Sequence, residues 1–266
     1  DKTYGGSYSD HAESIQQTYD GGYIIAGFSD SDDGDISDGN NGVYDYWIVK
    51  LDDLGNKVWD KTYGGSSVDY PESIQQTSDG GYIVAGRTWS NDGDISDGNN
   101  GGCDYWIVKL DGSGNKAWDK TYGGLGYDRA ESIQQTSDGG YIVAGSTRIN
   151  YGNGFYGESD VWIFGLDDEG NKVWDKTYGG SDSDELYSLQ QTLDGGYIVA
   201  GYTFSNDGDV SDGNNGDNDF WVLKLNSSGN REWDKTYGGS MWEQVASIQQ
   251  TADEGYIVLG ITESND

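Results

Sequence analysis

Residues 59–118 read WDKTYGGSSVDYPESIQQTSDGGYIVAGRTWSNDGDISDGNNGGCDYWIVKLDGSGNKAW, and the rest of the chain repeats this sentence with small edits. Its refrain DKTYGG begins at Asp1, Asp60, Asp119, Asp175 and Asp234, so the period is 59 residues, shortened once to 56 between Asp119 and Asp175. A fixed period of this length marks a solenoid, a propeller or an array, because each unit buries its apolar face only against its neighbours.

Each unit reads as four strands. In the first, residues 12–18 (AESIQQT) form strand A, and the Asp20-Gly21 pair signals a hairpin turn. Residues 23–28 (YIIAGF) form strand B. A polar stretch from Ser29 to Tyr44 leads to strand C at residues 45–51 (DYWIVKL), and a Gly-containing turn leads to strand D at residues 57–62 (KVWDKT). The A–B and C–D turns are tight and share one end of the unit. The longer B–C and D–A connections share the other.

Side-chain size is graded across the unit. Strand B ends in small residues (Ala26-Gly27, Ala85-Gly86, Ala200-Gly201), whereas strands C and D carry paired tryptophans (Trp47 with Trp59, Trp106 with Trp118). A wedge with small inner and bulky outer strands, apolar on both faces of strand C, suits a propeller blade. The expectation is an all-β chain, one propeller domain over residues 1–266. It counts five A–B hairpins but only four C strands, so the closing blade of five is incomplete. An unpaired strand edge there is a docking site for other copies of the chain or for neighbouring surface proteins.

The layout QQTSDGGYIVAG…DYWIVKLDGSGNKAWDKTYGG resembles the tandem propeller repeats of about sixty residues found in secreted and surface proteins of bacteria and archaea. It is also similar in strand layout to quinoprotein-type blades. The resemblance covers essentially the whole chain. It implies the architecture and an extracellular or cell-surface location; the quinone-cofactor branch is not implied, because its ligand residues cannot be placed in this sequence.

With 266 residues, 44 Gly, 10 Trp, 21 Tyr and one Pro, the composition suits many short strands joined by glycine turns. The formal charge of −32 repels nucleic-acid phosphates and anionic membranes and attracts cations. One cysteine, Cys103, excludes an intrachain disulfide and a cysteine-based zinc site. No apolar run reaches the roughly 18 residues of a membrane span. The chain begins and stops within the repeated phrase, which suggests a piece of something longer.

The B–C stretch carries the clearest chemical signal. It reads DDGDISDGNNG from Asp32, NDGDISDGNNG from Asn91 and NDGDVSDGNNG from Asn206. Asp33, Asp35, Asp38 and Asn40, then Asp92, Asp94, Asp97 and Asn99, then Asp207, Asp209, Asp212 and Asn214 are candidate calcium ligands. Calcium takes six to eight oxygens, and glycine permits a tight wrap. The spacing is not that of an EF-hand, and a loop held by its own Asx turns is the competing reading. The third unit, STRINYGNGFYGES at 146–159, lacks the acids. Its Arg148, Tyr151, Phe155 and Tyr156 could instead contact a partner. The acid before strand C (Asp45, Asp104, Asp160, Asp219) persists in all four units and is expected to cap a turn.

The D–A connection varies most, yet keeps an acid at Asp10, Asp69, Asp128, Asp184 and Glu243. Tyr8, His11, Tyr70, Arg129 and Trp242 surround it. Aromatic faces with a fixed carboxylate suit stacking on sugars, and the same acid also suits a fold-supporting role. His11 is the only histidine, so a Ser-His-Asp triad is not expected. Glycoside hydrolysis needs two carboxylates about 5–10 Å apart, and nothing singles out a pair. The sequence therefore points to a noncatalytic structural or adhesive module of an extracellular assembly. The alternatives are a lectin-like propeller and a carboxylate-dependent glycoside hydrolase.

Overall fold

A computed structural model describes residues 1–150 and 156–265, and among them the chain is all strand and turn. The first repeat supplies β1 (Asp10–Gln17), β2 (Tyr23–Ser29), β3 (Asp45–Leu51) and β4 (Lys57–Tyr63). The second supplies β5 (Asp69–Gln76), β6 (Tyr82–Thr88), β7 (Asp104–Leu110) and β8 (Lys116–Tyr122). The third supplies β9 (Tyr127–Gln135), β10 (Tyr141–Asn150), β11 (Tyr156–Leu166) and β12 (Lys172–Tyr178). The fourth supplies β13 (Asp184–Gln191), β14 (Tyr197–Thr203), β15 (Asp219–Leu225) and β16 (Arg231–Tyr237), and β17 (Glu243–Gln250) and β18 (Tyr256–Thr262) follow. Each complete repeat is a four-stranded antiparallel meander in sequence order, and β17 with β18 forms a two-stranded sheet. Strand C falls where the sequence puts it, and strand A starts two residues earlier than expected.

The chain divides into two compact units, Asp1–Gln135 and Thr136–Asp266. In the first unit, the sheet β1–β4 packs on β5–β8 through Ile24, Ala26, Tyr46 and Ile48 on one side and Ile74, Tyr82, Val84 and Trp106 on the other. Polar side chains fix the register. Ser14 Oγ accepts Ile74 N–H at 3.3 Å and Gln16 Oε1 accepts Gln76 N–H at 2.6 Å. Ser73 and Gln75 repeat both bonds to Ile133 and Gln135. In the second unit, Ser188 and Gln190 repeat them to Ile248 and Gln250. The SIQQ motif is therefore a ladder in which alternate residues point to the next sheet.

The glycine of the YIVAG strand has a specific cause. Strand A carries a bulge in each repeat whose register is given, as between Pro71 and Ser73 in β5. The bulge drives the Tyr70 carbonyl against Gly86, where any Cβ would collide with it, and Gly27 and Gly201 meet His11 and Glu185 carbonyls in the same way.

The refrain's aspartate ties strands to loop. Asp119 accepts the indole N–H of buried Trp106 at 3.0 Å, Ser96 N–H at 2.9 Å and the Ser96 hydroxyl at 2.5 Å, and pairs with Lys116 at 3.0 Å. Asp60 and Asp234 do the same with Ser37 and Ser211. In the third repeat β10 and β11 extend and pair where the others have the Asp-rich loop, and among the described residues no loop serine reaches Asp175. Asp175 keeps Lys172 at 3.1 Å and lies half exposed. Of the partner candidates in this hairpin, Tyr151 and Phe155 lie outside the described residues, as does the side chain of Tyr156.

At the opposite end, a lysine from strand C braces the A–B turn. Lys50, Lys109 and Lys224, all buried, reach Asp20, Asp79 and Asp194 at 3.0, 2.9 and 2.9 Å. Burial pushes the Asp79 carboxyl up, but the Thr77 hydroxyl, Lys109 and Gly81 N–H outweigh it and hold it at about 2. The third repeat has Gly165 at the lysine position, and the Trp174 indole occupies the space above it.

Asp119→Ala strands a buried indole N–H and the Ser96 donors, and should cost roughly 3 kcal/mol in urea unfolding, whereas Asp175→Ala should cost under about 1 kcal/mol. Equal costs would contradict the assignment. For Asp79, a folded carboxyl at about 2 against roughly 3.9 unfolded adds stability that is complete above pH ~4 and vanishes as the pH falls through 2. Asp79→Asn should therefore destabilise by about 1 kcal/mol at neutral pH, with the gap narrowing on acidification. A gap independent of pH would argue against the ion pair.

Candidate functional site

The B–C loops, the D–A connections and the first residue of strand C meet at one end of each sheet. Parallel bridges Tyr44–Val68, Cys103–Tyr127 and Asn218–Trp242 join the loop's exit to the next D–A connection. Cys103 is buried in this bridge, its thiol pushed up to about 12 by burial.

The Asp-rich loops use their acids locally. Asp33 accepts Ser7 N–H at 2.7 Å and the Ser7 hydroxyl at 2.6 Å, and Asp35 accepts Gly5 N–H at 3.2 Å. Asp38 pairs with Lys61 at 3.0 Å. Asn40 accepts Gly42 N–H and donates to the Ser29 carbonyl. In the second repeat Asp92 holds Ser66, Asp94 holds Gly64 N–H, and Asn99 holds Gly101 N–H and the Thr88 carbonyl. Asp97 occupies the position of Asp38. In the fourth, Asp207 holds Ser181, Asp209 holds Gly179 N–H at 3.5 Å, Asp212 pairs with Lys235 at 2.8 Å, and Asn214 accepts Gly216 N–H. In each loop the acids clamp the preceding YGG and the serine clamps strand D, and in the first and fourth the last acid, Asp38 or Asp212, clamps strand D as well. Among the described residues, no three acid, His or Cys side chains converge as a metal cluster.

A different set of carboxylates does converge. Asp45 Oδ2 accepts Asn41 N–H at 2.6 Å, which caps the loop as the sequence implies. Its Oδ1 is buried and accepts no hydrogen bond. Asp69, from the D–A connection, accepts Gly65 N–H and the Ser90 hydroxyl, each at 2.9 Å, through Oδ2. A Cβ at Gly64 would meet both Asp45 Oδ1 and Asp69 Oδ2. The same arrangement recurs at Gly123 with Asp104 and Asp128, at Gly179 with Asp160 and Asp184, and at Gly238 with Asp219 and Glu243. Burial, then the charge of Asp69, pushes the Asp45 carboxyl up to about 7, and burial with Asp184 pushes Asp160 up to about 6. Asp104 and Asp219 are raised by burial too, each next to its partner's charge. The sequence shows both acids as repeated residues; their meeting over the first glycine of YGG requires the fold.

Of the predicted sugar-contact residues, two share a neighbour, Phe28. His11 stacks on Phe28 at 4.7 Å, and Phe28 meets Tyr70 edge-on at 4.5 Å. Tyr44 and Trp89 extend the row, and Arg87 lies over Tyr70 at 5.1 Å while pairing with Glu72. Phe28 and Arg87 share one position, directly after the YIVAG-type strand core. That position varies between repeats and was the available signal. Tyr8 stands exposed, Arg129 pairs with Glu131 at 2.6 Å, and Trp242 lies in its bridge to Asn218.

No protein-family model matches this chain, and no curated protein matches it either.

Proposed function

We propose that this chain is a noncatalytic structural module of an extracellular or cell-surface assembly, built as a β-propeller-type array and joined end to end with other copies of itself. One observation carries the reading: positions buried between sheets inside each unit stand open on the first and last sheets. Ile74 is 5% exposed, yet Ile15, at the same place in β1, is 64% exposed. Ile24 is fully buried in β2, yet Ile257, its equivalent in β18, is 59% exposed. Leu259 and Ile261 extend that apolar strip. On the other face of β18, Tyr256 and Val258 line a groove with Phe220, Trp233 and Tyr237.

The two faces are complementary by repetition. Ser247 and Gln249 sit where Ser14 and Gln16 accept backbone N–H groups of the next sheet, and Ile15 and Gln17 sit where such groups are offered. A head-to-tail contact of this kind is heterologous and can propagate along a filament.

Sedimentation velocity tests this. The protein should associate as concentration rises, and Ile15→Lys or Ile257→Lys should each abolish growth. Mixing the two variants should restore a single contact and stop at dimers. A monomer at every concentration, or variants that associate like wild type, would remove the proposal.

A second reading, glycan binding, is favoured by the row His11–Phe28–Tyr70 under Arg87, since aromatic faces with a nearby cation and carboxylate suit sugar rings. A glycan array probed with wild type and Tyr70→Ala should show signal lost in the variant; no signal in wild type would end this reading.

A further inference from the structure

The carboxylate pairs at the sheet junctions pose a physical problem. Burying an ionised carboxylate without a partner is costly, and buried polar atoms are almost always satisfied. Yet Asp45, Asp104 and Asp219 are each fully buried, and each leaves Oδ1 without a hydrogen bond. At the fourth junction Glu243 Oε2 and Asn218 Oδ1 are also buried and unpaired. The unpaired aspartate oxygens are aimed at one place, the face of Gly64, Gly123 or Gly238, where the partner acid's oxygen also arrives. Gly179 repeats the geometry with Asp160 and Asp184. Only glycine fits at that position, because any side chain would fill the space between the two acids.

We propose that each of these junctions holds one calcium ion, bound between the strand-C aspartate and the acid of the following D–A connection: Asp45 with Asp69, Asp104 with Asp128, Asp160 with Asp184, and Asp219 with Glu243. The donors are hard carboxylate oxygens without competing nitrogen or sulfur, the set that calcium prefers. Two carboxylates neutralise one divalent charge, and backbone carbonyls and water complete its shell. The ions thus belong to these junctions, while the Asp-rich loops staple the strands.

The alternative is that each pair shares a proton and binds no metal. Native mass spectrometry and equilibrium dialysis of the intact chain with calcium, with magnesium at matched ionic strength, and after chelation separate the two. The proposal expects binding to saturate near four calcium ions per chain, with chelation lowering the melting temperature and magnesium failing to restore it. Asp104→Asn should remove one ion, and Asp92→Asn, in the Asp-rich loop, should remove none. No calcium uptake by the wild-type chain, or a stoichiometry that falls with Asp92→Asn and not with Asp104→Asn, would overturn it. Because the wild-type stoichiometry is read directly, a variant that fails to fold leaves the proposal testable.

Discussion

The carboxylate of the refrain WDKTYGG is the interaction on which three of the four complete sheets depend. Asp60, Asp119 and Asp234 sit in strand D, take the indole N–H of strand C's tryptophan, and hold both the backbone and the hydroxyl of a serine in the loop that links strands B and C. Burial raises the cost of these charges, and the Ser96 and Trp106 donors with Lys116 outweigh it for Asp119, which stays below the usual carboxylate range. One side chain therefore fixes the outer pair of strands, the long loop and the lysine or arginine three residues earlier. Where the loop is replaced by a longer hairpin, in the third repeat, Asp175 loses its serine and opens to solvent.

A chain with formal charge −32 must keep its acids from opposing the fold. It does so by giving them different tasks. Asp20, Asp79 and Asp194 brace turns against buried lysines. Asp33, Asp92 and Asp207 hold backbone amides of the preceding connection. The junction acids stand apart, because two carboxylates face one another with oxygens left over. Among the described residues, Asp45, Asp69, Asp104, Asp184, Asp219 and Glu243 each keep a buried carboxylate oxygen that accepts no hydrogen bond.

The strands were legible because the period made every signal repeat. DYWIVKL is β3 and β7 to the residue, and the Asp-Gly turn after SIQQT lies where strand A ends. The bulge beside the Ala-Gly of strand B was not legible, since it depends on a carbonyl approaching from the neighbouring strand. The Asp-rich loops show how similar patterns diverge: closely spaced Asp and Asn oxygens look the same in a sequence whether they surround an ion or cap amides. Ser7, Gly5 and Lys61, which meet these oxygens in the first repeat, lie outside the loop's own phrase. The pairing of Asp45 with Asp69 was hidden for the same reason, because each acid alone reads as a turn residue. His11 and Tyr70 were picked out by their variability, and Phe28, which joins them, sits on another strand.

The register that joins strand B to strand C is the same in the first and second repeats, Ala26 opposite Ile48 and Ala85 opposite Ile107. To a newly made β2, the segment DYWIVKL at 45–51 and its copy at 104–110 offer the same partners. The hydrogen bonds and side-chain pairs of the correct and the skipped sheet are equal, so they give no preference between them. The choice falls to chain connectivity, because the nearer copy closes the smaller loop at lower entropic cost. Such a chain is best made in order, one repeat at a time as it emerges, with the divergent third hairpin interrupting the run of identical partners.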